Sequence, residues 1–212
     1  MHLLKTLSPY FLLLACLGDF SLPYLLGSAY PGFNQKTMLI SQLGEKSSPV
    51  QQIFNHGSII TGSLFVLSSI GIYQFFSLES SLFAKILAAA IALYGIGDCI
   101  LSSLIQLDPA AENFRNPTYL LHAGFTAIAM IGMLLVPLIL AGRAYIIGNL
   151  FPVLFFIICL VGAIITLILF ASYYLPIVGK YLVSTHGLWQ RLSLIFLYLP
   201  AIAMALIQIR QK

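Results

Sequence analysis

The chain has 212 residues, 60% of them hydrophobic and 8% charged, with a formal net charge of +4 and a mean hydropathy of +0.99. A soluble domain carries roughly 25% charged residues, so this chain cannot cover itself with a water-facing surface and reads as an integral membrane protein. Its few positive charges are dispersed, with no basic stripe and no basic–aromatic interleaving, which argues against a nucleic-acid partner.

Apolar runs of about 20 residues, long enough to cross a bilayer, predict six helices at roughly 7–26, 53–77, 82–107, 118–141, 146–174 and 186–209. Each run is continuous rather than alternating, which favours spanning helices over barrel strands. The expected fold is an all-α integral membrane six-helix bundle forming one domain over residues 1–212. The first run contains "LLAC" ending at Cys16, which resembles a lipoprotein cleavage site. The run continues past it to Leu26, as a spanning helix does. Turn signals separate the runs at Pro31-Gly32, Asp108-Pro109 and Asn116-Pro117. The fifth run is long enough to suggest tilt. Pro137, Pro152 and Pro200 fall inside or near helix ends, where membrane helices tolerate kinks. Cys16, Cys99 and Cys159 all lie within runs and read as small buried hydrophobes, not as a disulfide framework.

An even number of spans puts both termini on one side of the membrane. Lys5, Lys85, Arg143, Arg210 and Lys212 fall on that side, and Lys36, Lys46, Arg115 and Lys180 on the other. The positive-inside rule then favours cytoplasmic termini. Helices two, four and six all begin on the opposite, outward side, and each opens on a histidine: His56, His122 and His186. Asp98 and Asp108 lie near the outward end of the third helix and just beyond it, so these five residues are expected in one outward polar layer. At about 1.5 Å per residue, Asp98 lies about 13 Å, Asp19 about 10 Å and Arg191 about 7 Å below the outward helix ends. Charges at that depth face the bundle interior and pair, so Arg191 is expected to contact Asp98 or Asp19, or one aspartate to be protonated. His186 and Gln190 are four apart and share a helix face, as do Asp98 and Ser102. Gly57, Gly62, Gly95 and Gly97 permit close helix contact.

Several of these places resemble a known family. "YPGFNQKTMLISQLGEKSSPVQQIFNHGSIITGSL" is similar to the first loop and second helix of domain-of-unknown-function family 998. "GIGDCILSSLIQLDP" is similar to that family's third helix, and "GLWQRL" to its Gly-x-x-Gln-Arg entry to the sixth. The resemblance spans nearly the whole chain. It implies a six-helix membrane protein with matching polar positions at Ser41, Asn55, Asp108, His122, Gln190 and Arg191, and it supplies no reaction. The chain departs from the family's Phe-Pro-x-Asp before the third loop, reading Ile105-Gln106-Leu107-Asp108 instead, and His56 and His186 match no family position.

Each residue has a plain reading beside the chemical one. Asn55 suits an N-cap, Ser41 a loop turn and Asp108 a turn with Pro109. The three histidines suit interfacial hydrogen bonding, or else a shared zinc site with a carboxylate. Arg191 suits a structural ion pair, or a phosphate or lipid headgroup. Three functions are carried forward. The first is binding of a lipid or other small amphiphile in an outward polar cavity through Asn55, His122, Gln190 and Arg191. The second is metal-dependent intramembrane hydrolysis, with His56, His122 and His186 on zinc and Asp98 or Asp108 handling protons. The third is small proton-coupled transport through Asp19 and Asp98.

Overall fold

Helix α1 (His2–Ser28) crosses from the face that carries the termini to the opposite one, called here the loop face. In this computed structural model, which describes residues 2–108, 116–172 and 179–211, five more helices of spanning length follow: α2 (Gln51–Phe76), α3 (Ser81–Leu104), α4 (Pro117–Ile146), α5 (Leu150–Ser172) and α6 (His186–Arg210). All six are long and apolar enough to cross a membrane, and there is no strand among the described residues. The protein is an all-α membrane helix bundle. Pro109, Arg115 and Lys212 lie outside the described residues.

Neighbours in sequence are neighbours in space, and α6 returns to pack on α1, so the six helices form a closed ring. Lipid is as apolar as leucine, so small residues that let backbones approach set many of these contacts. Gly62 and Gly95 face each other across α2 and α3, where a Cβ on either would stand 2.6 Å from the other's carbonyl oxygen. Towards the terminal face Ser8 Oγ donates to the Ser68 carbonyl at 2.8 Å, tying α1 to α2.

Two helices depart from regular geometry. In α3, residues Gly95–Leu101 form a π-helical segment, a form that concentrates at functional sites. Side chains bind carbonyls along and just beyond it: Ser58 Oγ donates to the Cys99 carbonyl at 3.3 Å, and Ser102 Oγ to that of Asp98. In α4 the helix is interrupted at Leu134, between Pro117–Met133 and Leu135–Ile146. Pro137 has no N–H for the Met133 carbonyl, which explains a break there. Both segments of α4 pack on α3, and the second also packs on α5 and α6; space opens between the first segment and α5 and α6 on the loop face.

Some helix ends differ from those expected of the apolar runs. The fourth helix continues to Ile146, past 141, and the fifth begins at Leu150, so α5 starts later than its apolar run. The turn between them needs Gly148, whose φ of 79° is the left-handed conformation that glycine adopts freely. Helix α2 begins at Gln51 with Val50 at its N-cap, so Asn55 lies inside the helix and does not cap it. Asn116 does cap: its Oδ1 accepts the Thr118 N–H at 2.9 Å ahead of Pro117 in the first turn.

Candidate functional site

Two carboxylates stand inside the bundle on its loop-face side. Asp19 lies about 13 Å below the end of α1 and Asp98 about 9 Å below the end of α3, at 1.5 Å per residue to Ser28 and Leu104. Asp19 is ringed by donors. Tyr198 of α6 donates to its Oδ2, and the Tyr94 hydroxyl lies 3.4 Å from the same oxygen. The Thr61 hydroxyl at 3.1 Å and the Cys99 thiol at 3.6 Å reach Oδ1. Tyr94 and Tyr198 are also 2.6 Å apart, hydroxyl to hydroxyl. A hydroxyl has one proton, so with Tyr198 donating to Asp19, the Tyr94 proton makes that contact. The resulting chain runs Tyr94 to Tyr198 to Asp19, and joins three helices. Asp98 has Tyr94 of its own helix and Thr126 of α4 as neighbours.

Both aspartates line a cavity of about 640 Å³ whose wall takes residues from all six helices and from the first loop. Its polar side includes Asn55, Ser58, Ser103, His122, Thr126 and Gln190; its apolar side is formed by α4 and α5, with Ile131, Leu134, Ile164 and Leu167 among the residues present. No lysine or arginine belongs to the wall among the described residues. Ser103 is 5% exposed, and its hydroxyl has no hydrogen-bond partner among the described residues. The His122 Nδ1 lies 3.2 Å from the Ser102 carbonyl and 3.3 Å from that of Ile105. Carbonyls only accept, so Nδ1 carries the proton and, in the neutral ring, Nε2 is an acceptor.

The cavity's loop-face edge is closed by the first loop, where Ile40–Gly44 forms a 3-10 turn that includes Ser41. Asn55 Nδ2 donates to the Gly44 carbonyl at 3.2 Å, and Gln190 Oε1 accepts the Ile40 N–H at 2.8 Å. Arg191 holds the same loop from α6. Its Nε donates to Gln35 Oε1 at 2.8 Å, and its Nη1 to the carbonyls of Met38 and Gly187, both at 2.9 Å. The rings of Tyr24 and Phe33 lie 5.9 and 5.8 Å from its central carbon, within cation–π range. The expected ion pair with Asp19 or Asp98 is not formed. Arg191 is 3% exposed, lies outside the cavity wall and is surrounded by neutral acceptors and aromatic faces.

The sequence candidates are therefore divided. Asn55, Asp98, His122 and Gln190 meet at the cavity together with Asp19. Arg191 stands behind the loop. His56 is exposed, with Nδ1 2.7 Å from the Gln52 carbonyl of its own helix. His186 is buried and stacks on Phe170 at 5.1 Å, rather than meeting Gln190. Asp108 is exposed beside Lys46, Asn116 and Thr118, outside the main cavity. The three histidines thus occupy three environments, and no group of three or more His, Cys, Asp or Glu among the described residues is placed to hold a metal ion.

Residues not singled out in the sequence complete the site: Thr61, Tyr94, Ser103, Thr126 and Tyr198. Tyrosine collects at membrane interfaces, so a tyrosine at mid-span is itself a signal. Tyr94 lies ten residues before the end of α3, and Tyr198 twelve after the start of α6.

Neither the curated proteins nor the solved structures contain a match to this chain. A family model described as "Protein of unknown function (DUF998)" matches residues 13–207. With six spanning-length helices in place and that match covering nearly the whole chain, the protein belongs to domain-of-unknown-function family 998.

Proposed function

We propose that the protein binds a small amphiphile in the loop-face cavity, and that both termini are cytoplasmic, so that the cavity faces outward. One observation carries the reading: a space of about 640 Å³ with an apolar wall on α4 and α5 and convergent polar groups on the facing helices. Ligand sites run from about 300 to 1,000 Å³ and combine an apolar lining with a few placed polar groups. Intramembrane carboxylates are costly to keep and mark ligand or proton sites.

A proton-coupled carrier is the second reading, supported by the chain from Tyr94 through Tyr198 to Asp19 beside the same cavity. No such observation supports hydrolysis. The Ser102 hydroxyl goes to a backbone carbonyl, and so does His122 Nδ1.

Filling the cavity tests the binding reading. Ala123 belongs to its wall, and Ala123→Trp is expected to fold with a similar unfolding temperature while losing the amphiphile that copurifies with the wild type. The readout is mass spectrometry of an organic extract of the purified protein. The same compound in the same amount from both proteins would sink the reading.

A further inference from the structure

The chemistry of the cavity wall selects among amphiphiles. Resting on the binding reading above, we infer that the ligand carries a single cationic headgroup, an amine or ammonium, that sits against Asp98 with its apolar tail along α4 and α5.

The cavity wall holds two carboxyl groups and, among the described residues, no lysine or arginine. Arg191, the guanidinium at similar depth, is held by Gln35, Met38 and Gly187 behind the first loop. An anionic headgroup entering this space would meet carboxyl groups and, among the described residues, no basic partner. A cation would supply the opposite charge that intramembrane carboxylates otherwise find on another helix.

The two aspartates differ in what already surrounds them. Asp19 has Tyr198, Tyr94, Thr61 and Cys99 arranged about its two oxygens. Asp98 has Tyr94 and Thr126 as neighbours, and the Tyr94 proton goes to Tyr198. Asp98 therefore keeps more accepting capacity for a ligand. An ammonium group donates to the free accepting positions of the Asp98 carboxylate. His122, on the same wall, keeps Nε2 as an acceptor when neutral, its Nδ1 proton facing carbonyls, which suits a donor headgroup. Opposite these groups the wall is aliphatic, at Leu134, Ile164 and Leu167.

The test uses three probes with one tail: dodecylammonium, dodecyl phosphate and dodecanol. Each is added to full-length protein in a nonionic detergent, and retention is read by native mass spectrometry. Dodecylammonium is expected to be retained about tenfold more strongly than dodecyl phosphate, the scale of one charge-assisted hydrogen bond. Asp98→Asn is expected to lower dodecylammonium retention about tenfold and leave dodecanol unchanged. The ranking of the three probes on the wild type stands even if a variant fails to fold. Equal retention of all three, or a preference for the phosphate, overturns the headgroup assignment and leaves the cavity reading intact. If dodecanol is not retained either, the amphiphile reading itself falls, and the headgroup assignment with it.

Discussion

The two ends of the bundle are built on different principles. Towards the terminal face, Leu12, Ile72, Phe76, Leu87, Met133, Leu140 and Met204 are essentially inaccessible and pack into one apolar core. Towards the loop face the same six helices separate around a cavity and place two carboxylates, an imidazole, an amide pair and several hydroxyls on its wall. Polar groups in a bilayer are unfavourable unless satisfied, and a bundle that needed only stability could repeat its terminal half. The difference is that one end fills its interior with apolar side chains and the other keeps a lined space. A break in α4 at Leu134 lies between the two regimes.

The largest effect is expected from removing the hold on the first loop. Arg191→Ala deletes three charge-assisted hydrogen bonds and leaves Gln35 and the Met38 carbonyl without their donor. At about 1.5–3 kcal/mol for a hydrogen bond to a charged group, with partial rescue by water, the expected loss is about 3 kcal/mol by reversible unfolding. The variant should also expose the loop at 29–50 to protease before the helices unfold. Loop cleavage no faster than in the wild type would contradict the role given to Arg191.

A smaller effect, in the other half, sharpens the contrast. Leu87→Ala opens a void in the terminal-face core, where Leu87 is fully buried. Such truncations in water-soluble cores lose about 2–5 kcal/mol. Here lipid solvates the unfolded side chain as well as protein does, so about 2 kcal/mol is expected. Retention of the copurifying amphiphile should be unchanged below the unfolding temperature. Loss of the amphiphile would mean that the two halves are not separable.

How much of this was legible in the sequence follows from which signals are local. Six apolar runs make six helices because a membrane leaves the backbone no other open-ended solution. The start of α2 was not legible: counting apolar residues places it near 53 and turns Asn55 into a cap, whereas the helix begins at Gln51 with Val50 at its N-cap. The loop-face level of Asp98, His122 and Gln190 followed from topology. The partner of Arg191 did not. Its acceptors Gln35 and Met38 are neutral and more than 150 positions away, and the expectation that a buried charge seeks an opposite charge pointed to aspartate. The split among the histidines depends on which way each helix is rotated, and one histidine per helix carries no periodicity to fix that. Tyr94 and Tyr198 were readable as mid-span tyrosines, but their meeting at Asp19 is a matter of packing.

The smallest effect tests whether the terminal half holds any chemistry of its own. Its ion pair among the described residues is that of the Arg143 guanidinium, which donates from Nε at 2.6 Å and Nη2 at 2.7 Å to the two carboxylate oxygens of Glu79. Arg143 also lies over the Phe76 ring at 5.6 Å. The hydrogen bonds from Arg143 hold the Glu79 carboxyl below its ordinary value of 4.5. A carboxylate lowered in the fold contributes stability above the unfolded value, and that contribution is lost as pH falls through the folded one. Glu79 is exposed, with 44% of its side chain accessible, so solvent screening keeps the pair within about 1 kcal/mol. Glu79→Gln is therefore expected to lower stability slightly at neutral pH, with the difference from wild type shrinking as the solution is acidified below about 4.5. Amphiphile retention should not change. A difference that grows on acidification would show that the pair is not what Glu79 contributes. A change in retention would mean that the terminal end takes part in binding after all.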